Sequence, residues 1–287
     1  MAAPTGPTVR RMQLGAELRR LREKARFTLA EAVNELDLSI TKLYRVENGL
    51  TALKSTAELR VLLERYGVES QDDIDFLAEI HRDSLNRGWW SQYRSVMPSG
   101  MAMYVGLETG ARAIRAWHPS VVVGLLQTER YVREMLQVAK PVEEHTTEFV
   151  ERHIRLRMER KERLTGKDGR LELWAILDEA ALRRKIGGPD VMREQYEEII
   201  RLTKLDNVTV QILPMDSATY RSSFNFNLLE LDAPQLTVVQ TDGSEGSNVS
   251  DKDTIVWAFT RRFDALRAGA MAPGETPTFL HRLAGEI

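Results

Sequence analysis

Cysteine is absent from the 287 residues, which excludes disulfides and thiol chemistry and removes the commonest structural zinc ligand. No stretch approaches the roughly 20 consecutive apolar residues that a spanning helix needs. The opening MAAPTGPTVRRMQLGAEL also lacks the apolar segment of a secretory leader. A cytoplasmic protein without a membrane contact is therefore expected. Strong overall charge is missing too: the formal net charge is -2, so no attraction of the whole molecule to nucleic acid or anionic lipid follows. The histidines His81, His118, His145, His153 and His281 show no ligand spacing such as H-E-x-x-H. No acidic pair sits in a recognisable catalytic frame, and there is no G-x-S-x-G elbow. Neither a metal, a cofactor nor an enzymatic activity is expected. TDGSEGSN, residues 241–248, lacks the lysine of a phosphate loop and reads as a turn.

An apolar share of 43% is ordinary for a globular protein and is enough for one large domain or two of common size. Charge, however, is unevenly placed. Residues 1–66 hold twelve Lys+Arg against eight Asp+Glu, whereas the remainder holds twenty-eight against thirty-four. Within the first 26 residues Arg10, Arg11, Arg19, Arg20, Arg22, Lys24 and Arg26 stand against only two acids. Such a cluster is either a phosphate-binding footprint or a solvated helix face.

Leu14, Leu18 and Leu21 recur at helical spacing and predict an amphipathic helix over about 12–25. Thr28 followed by Glu31 is the capping-box pattern ahead of a second helix ending near Leu36. Asp37 is expected at the tight corner, where Asp tolerates a left-handed backbone. Ser39 then caps a third helix, with Leu43 and Val46 turned inward and Thr41, Lys42 and Arg45 on the other side. Asn48-Gly49 stops it. Further helices are predicted at about 56–66 and 72–85. Two helices joined by a short corner form the helix-turn-helix pattern.

Residues 14–66 resemble the DNA-binding domain of the XRE family, the relatives of lambda repressor and Cro. The family run S-x-x-x-[IL]-x-x-[IV]-E-N-G is matched by Ser39, Leu43, Val46, Glu47, Asn48 and Gly49. Leu29 stands where the family usually has Gln, Asp37 where it often has Gly, and Val33 where it prefers Ala. Leu29 cannot make an amide contact, so base readout is expected to rest more on the third helix. The resemblance implies double-stranded DNA as partner, with Thr28, Ser39, Thr41, Lys42, Tyr44, Arg45, Asn48 and Lys54 as the DNA-binding set. Ser39 and Asn48 would hold phosphates, Thr41, Lys42 and Arg45 would reach base edges, and Tyr44 would touch backbone or a thymine methyl. It also implies an ion pair between Arg22 and Glu47 that orients the third helix. One such helix reads too little sequence, so a homodimer on half-sites roughly 34 Å apart is expected.

The rest of the chain has another texture. NRGWWSQYRSVMPSGM breaks the helical rhythm while offering Trp89, Trp90 and Tyr93, either stacking surfaces or a packed anchor. Helices are predicted at about 103–117, 128–139, 143–164, 178–186, 189–204 and 252–268. RLELWAIL, NVTVQILP, FNFNLLEL and QLTVVQT read as strands. The expected fold class is α+β overall: an all-α five-helix domain over 1–70, a linker helix over 71–87, and an α+β domain over 88–287. GWWSQY, the G-L-L-Q-T run at 124–128 and EAALRRKIGG at 179–188 resemble the C-terminal domain of actinobacterial WhiJ-like regulators. Val123 replaces the proline usual before that G-L-L-Q-T run. The resemblance implies a transcriptional regulator of antitoxin-like type acting with a small partner protein encoded nearby.

If the second domain holds a pocket, Trp89, Trp90, Tyr93, Trp117, Gln127 and Trp174 are its expected lining, for an effector rather than a reacting substrate. Two other readings stay open. One is an antitoxin-like protein-interaction module with DNA binding secondary, and the other an enzyme carrying a DNA-binding appendage.

Overall fold

The computed structural model describes residues 6–143, 145–166, 170–231, 236–243 and 246–287. The chain divides between Ser91 and Gln92 into two compact units.

The N-terminal unit contains α1 (Pro7–Lys24), α2 (Leu29–Val33), α3 (Ile40–Glu47), α4 (Thr56–Arg65) and α5 (Gln71–Ser84). Proline at the first turn starts α1 ahead of the leucine stripe, because its fixed φ suits a helix and its missing N–H would have no partner there. The Thr28–Glu31 capping box forms: Thr28 Oγ1 accepts from the Glu31 amide at 3.2 Å, and the Thr28 amide donates to Glu31 Oε2 at 2.8 Å. α2 stops at Val33 rather than near Leu36, and the left-handed residue is Glu35 (φ 65), not Asp37. Arg65 of α4 supplies the reason, since its Nη1 donates to the carbonyls of Ala32 and Asn34 and satisfies the helix end at that point. Ser39 caps α3 by accepting from the Lys42 amide at 3.1 Å. Gly49 (φ 66) ends α3, with the amides of Gly49 and Leu50 donating to the carbonyls of Val46 and Arg45.

Segment 71–87, expected to link two domains, instead builds α5 into this unit. Leu77, Ala78 and Ile80 share one core with Leu14, Leu18, Leu43, Val46, Leu59 and Leu62. Each large side chain so buried contributes about 1.5–3 kcal/mol. Gly15 lets α1 come close to the end of α3, because a Cβ there would lie 2.4 Å from the Val46 carbonyl oxygen.

The C-terminal unit is built on a six-stranded sheet ordered β3-β2-β1-β4-β5-β6. Its strands are β1 (Ala111–His118), β2 (Glu172–Asp178), β3 (Val208–Leu213), β4 (Phe226–Leu231), β5 (Thr237–Gly243) and β6 (Gly246–Ser250). The pairs β1/β2 and β2/β3 are parallel, and the other three are antiparallel. Its helices are α6 (Met101–Thr109), α7 (Glu129–Ala139), α8 (Thr147–Thr165), α9 (Glu179–Arg183), α10 (Pro189–Leu202), α11 (Asp253–Gly269) and α12 (Thr276–Gly285). Trp117, Ile176, Phe226, Leu228 and Val239 form one face of the sheet and pack with Phe263 and Leu266 of α11. On the other face α6 lies against β1, β4 and β6.

The helix predicted over 103–117 proves to be α6, a break at Gly110 and the central strand β1. ARAIRAWH is buried on both sides of the sheet, so it shows neither β alternation nor many β-branched residues, and its alanines and arginines favour helix locally. The expected turn at 241–248 includes the ends of β5 and β6, paired with Asp242 opposite Ser247. Its residues 244 and 245 lie outside the described residues. α12 was not foreseen; Phe279, Leu280 and Leu283 are its buried side.

Candidate nucleic-acid interface

α3 buries Leu43 and Val46 and turns Thr41, Tyr44 and Arg45 to solvent, with Tyr44 53% exposed. Lys42 is placed differently. Its Nζ donates to the Ala52 carbonyl at 2.7 Å and to Thr51 Oγ1 at 3.3 Å, fastening the loop after α3 and leaving one of its three N–H groups uncommitted. Asn48 Nδ2 donates to the Tyr44 carbonyl at 2.7 Å, so this amide closes the helix end. Ser39 Oγ accepts from the Lys42 amide and keeps its own O–H available. The Thr28 hydroxyl, in contrast, donates to Glu31 Oε2 at 2.7 Å, which spends its only proton beside a carboxylate. Lys54 is exposed, and its backbone N–H caps the Glu58 carboxylate at 2.7 Å.

The corner is held from beneath by Arg22 and Glu47. Nε and Nη2 of Arg22 donate to Oε1 and Oε2 of Glu47 at 2.7 and 2.8 Å, and Nη1 donates to the Phe27 carbonyl at 2.9 Å. The Glu47 side chain is 3% exposed, and its hydrogen bonds raise the Arg22 pKa. A fork-shaped pair of this kind joins the first and third helices and sets the angle of α3. Part of the basic cluster on α1 is likewise spent inside the unit: Arg10 lies 3.3 Å from Asp83, and Arg20 Nε donates to Glu17 at 2.9 Å. Lys24 and Arg26 are exposed, as are the acids Glu31, Glu35 and Asp37 along the turn, so the surface around α3 is mixed in sign. His81 is a core residue, its Nε2 3.2 Å from the Leu53 carbonyl oxygen.

The aromatic and amide positions expected to share a pocket take separate places. Trp117 is fully buried and donates from Nε1 to the Ser222 carbonyl at 3.0 Å. Gln127 is buried, donating to the Val122 carbonyl at 2.7 Å and accepting from Arg157. Trp174 donates to Gln211 Oε1 at 2.8 Å, carries the Arg267 guanidinium 5.3 Å above its ring, and lines a cavity of about 590 Å³ with Arg115, Asn207 and Glu230. The Tyr93 hydroxyl donates to Glu159 at 2.8 Å, beside a cavity of about 540 Å³ along α8. In the N-terminal unit Trp89 and Trp90 meet edge to face, with centroids 6.0 Å apart, and Trp90 is buried. A cavity of about 680 Å³ lined by Glu179, Met215, Phe279 and Arg282 was not foreseen.

A charged interior around Arg157 and Arg160 of α8 was also missed. Leu156, Arg160 and Leu164 form one buried row at helical spacing. An arginine in the middle of an apolar stripe was the available signal. Among the described residues no helix is long and apolar enough to cross a membrane. The same residues contain no group of three or more His, Cys, Asp or Glu able to hold a metal ion.

Five short helices around a cappable corner, followed by an α+β domain, define the class: a helix-turn-helix protein. Residues 13–77 match the family model described as a helix-turn-helix domain, which points to DNA binding and transcription regulation. Residues 101–282 match the model described as "Domain of unknown function (DUF5753)", and the chain belongs to that family. No curated protein and no solved structure matches the chain.

Proposed function

We propose that the protein is a sequence-specific transcription regulator of XRE type that binds duplex DNA as a homodimer, with α3 in the major groove. Its C-terminal unit receives the signal, a small molecule or, as in the WhiJ-like and antitoxin-like regulators it resembles, a small partner protein. One observation carries the reading: Thr41, Tyr44 and Arg45 stand outward on a helix capped at both ends and bolted to α1 by a buried ion pair. Arg45 is the best donor for the O6 and N7 acceptors of guanine. Tyr44, with the exposed Ile40, suits a thymine methyl or sugar edge. Ser39 keeps a hydroxyl proton for a phosphate, whereas Lys42 acts first on the loop at Thr51 and Ala52. The acids beside the turn disfavour indiscriminate phosphate binding, so affinity depends on the matched site.

The test is genomic selection of bound duplexes by the full chain, followed by titration at several salt concentrations. Arg45→Ala should weaken the selected duplex by about 1–3 kcal/mol and relax one base position, with a smaller loss on random duplex. Failure of every duplex to bind at low ionic strength overturns the proposal.

A further inference from the structure

α8 places two arginines one turn apart beneath the chain at Gly124–Leu126, and only one of them has an anion. Arg160 is satisfied: Nε and Nη2 donate to Glu108 Oε1 and Oε2 at 2.6 and 2.8 Å, and its guanidinium lies 5.4 Å from the Tyr104 ring centroid. Both members of that pair are buried. Arg157 forms no ion pair among the described residues. Nη1 donates to Gln127 Oε1, and Nη2 donates to Nε2 of His153 at 3.2 Å, which the neutral ring accepts. Nε is sealed from solvent with no acceptor.

The Glu108 carboxylate acts on this guanidinium only without a hydrogen bond, being already forked by Arg160, whose own charge opposes that of Arg157. His118, at the end of β1, has both ring nitrogens sealed and without a hydrogen bond of ordinary geometry; Asn227 and the Asp242 carboxylate are its polar neighbours. Asp242 is already engaged by Asn225 and Gln240. Burial lowers the pKa of His118 to about 4 and of His153 to about 3, with the charge of Arg157 pushing both the same way. Burial likewise lowers Arg157 to about 10. A guanidinium drawn into the interior without an ion pair is held at a cost, which a bound anion offsets. Arg157 and His118 are each partly exposed as residues, while Arg157 Nε and both His118 ring nitrogens are covered, so a ligand reaches these atoms by displacing what lies over them. Gly124 lies directly against the guanidiniums: a Cβ there would be in van der Waals contact with them, 3.6 Å from Arg157 Nη1 and 3.8 Å from Arg160 Nη2, so a larger side chain at 124 would cover Arg157.

We propose that Arg157, Gln127 and His118, under the glycine of the G-L-L-Q-T run, bind the oxyanion head of a small ligand, a carboxylate or a phosphate. Arg157 supplies the charge and His118 a ring N–H, while Gln127, pinned by its bond to the Val122 carbonyl, keeps the guanidinium aimed. This deepens the reading of the C-terminal unit as the part that receives a signal, and it rests on that reading only for its biological meaning.

The experiment is calorimetric titration of the full chain with inorganic phosphate and with acetate, chloride matching the ionic strength. Saturable binding of either probe is expected, and the preferred one identifies the head group. Arg157→Gln and Gly124→Val should each weaken it about tenfold or more, whereas Arg155→Gln on the exposed side of α8 should leave it unchanged. Gly124→Val alters no charge and carries the test if Arg157→Gln does not fold. Absence of saturable binding beyond chloride, or equal affinity in both site variants, overturns the site. DNA affinity with and without saturating probe reports separately: an unchanged value overturns the signal-receiving reading and leaves the site standing.

Discussion

Removing the Glu47 carboxylate isolates one tertiary constraint on α3, its buried ion pair with α1. In Glu47→Ala the Arg22 guanidinium keeps one bond to the Phe27 carbonyl and loses its two bonds to Glu47. Glu23 lies 3.7 Å away, but its side chain is mostly in solvent and compensates little. Breaking a buried pair from one side costs about 3–5 kcal/mol because a charge is left enclosed and unpaired. The Arg22 side chain retains 11% of its exposure, which places the expected loss near the lower end of that range. Replacing both partners, as Arg22→Met with Glu47→Leu, should recover most of the loss, since well-packed apolar groups of similar volume are close to neutral at such positions.

Two units in one chain make a single unfolding midpoint a poor measure here. Amide hydrogen exchange, read on peptides from α1 and α3 under native conditions, reports the N-terminal unit alone. Exchange in Glu47→Ala should accelerate in both helices together, by about a hundredfold for 3 kcal/mol, while the β1 and β2 peptides stay unchanged. DNA affinity should fall even though the Glu47 side chain is buried. If Glu47→Ala costs less than about 1 kcal/mol, or the double variant is no more stable than the single one, the ion pair is not the support assigned to it.

Other consequences follow from close contacts and from titration. Gly15→Ala should destabilise the N-terminal unit by about 1–3 kcal/mol, because the added Cβ meets the backbone carbonyls of Val46 and Glu47 rather than a movable side chain; exchange rates in α1 check it, and an unchanged rate refutes it. The C-terminal unit should lose stability as pH falls from the ordinary histidine value toward 4, because the unfolded chain binds protons that His118 and His153 refuse when folded. The stability is whole above that ordinary value. Its loss should reach about 2 kcal/mol by about pH 4.5 for His118 alone. Denaturant titrations at neutral and acid pH test this, and a His118→Gln variant with an undiminished slope counts against it. The carboxylates of Glu179 and Glu198, whose pKa values are lowered, act only further into acid.

Local chemistry was enough to place the caps of α2 and α3 and the stop after α3. Thr28, Ser39 and the Asn48-Gly49 pair act on amides and carbonyls within a few residues of themselves, so the N-terminal helices and their order were readable along the chain. The same holds for β2 to β5, whose apolar runs are flanked by turn residues. What depends on distant neighbours was not readable. Arg65 decides where α2 ends and so moves the left-handed residue from Asp37 to Glu35. Burial from both faces makes a strand of ARAIRAWH, which has the local preferences of a helix. Lys42 belongs to the loop at Ala52 because tertiary folding brings a carbonyl to its ammonium, and Trp117, Gln127 and Trp174 take separate partners for the same kind of reason. Capping and propensity are interactions of a residue with its own backbone neighbourhood, whereas burial, pairing and the surroundings of Arg157 exist only once segments far apart in the chain have met.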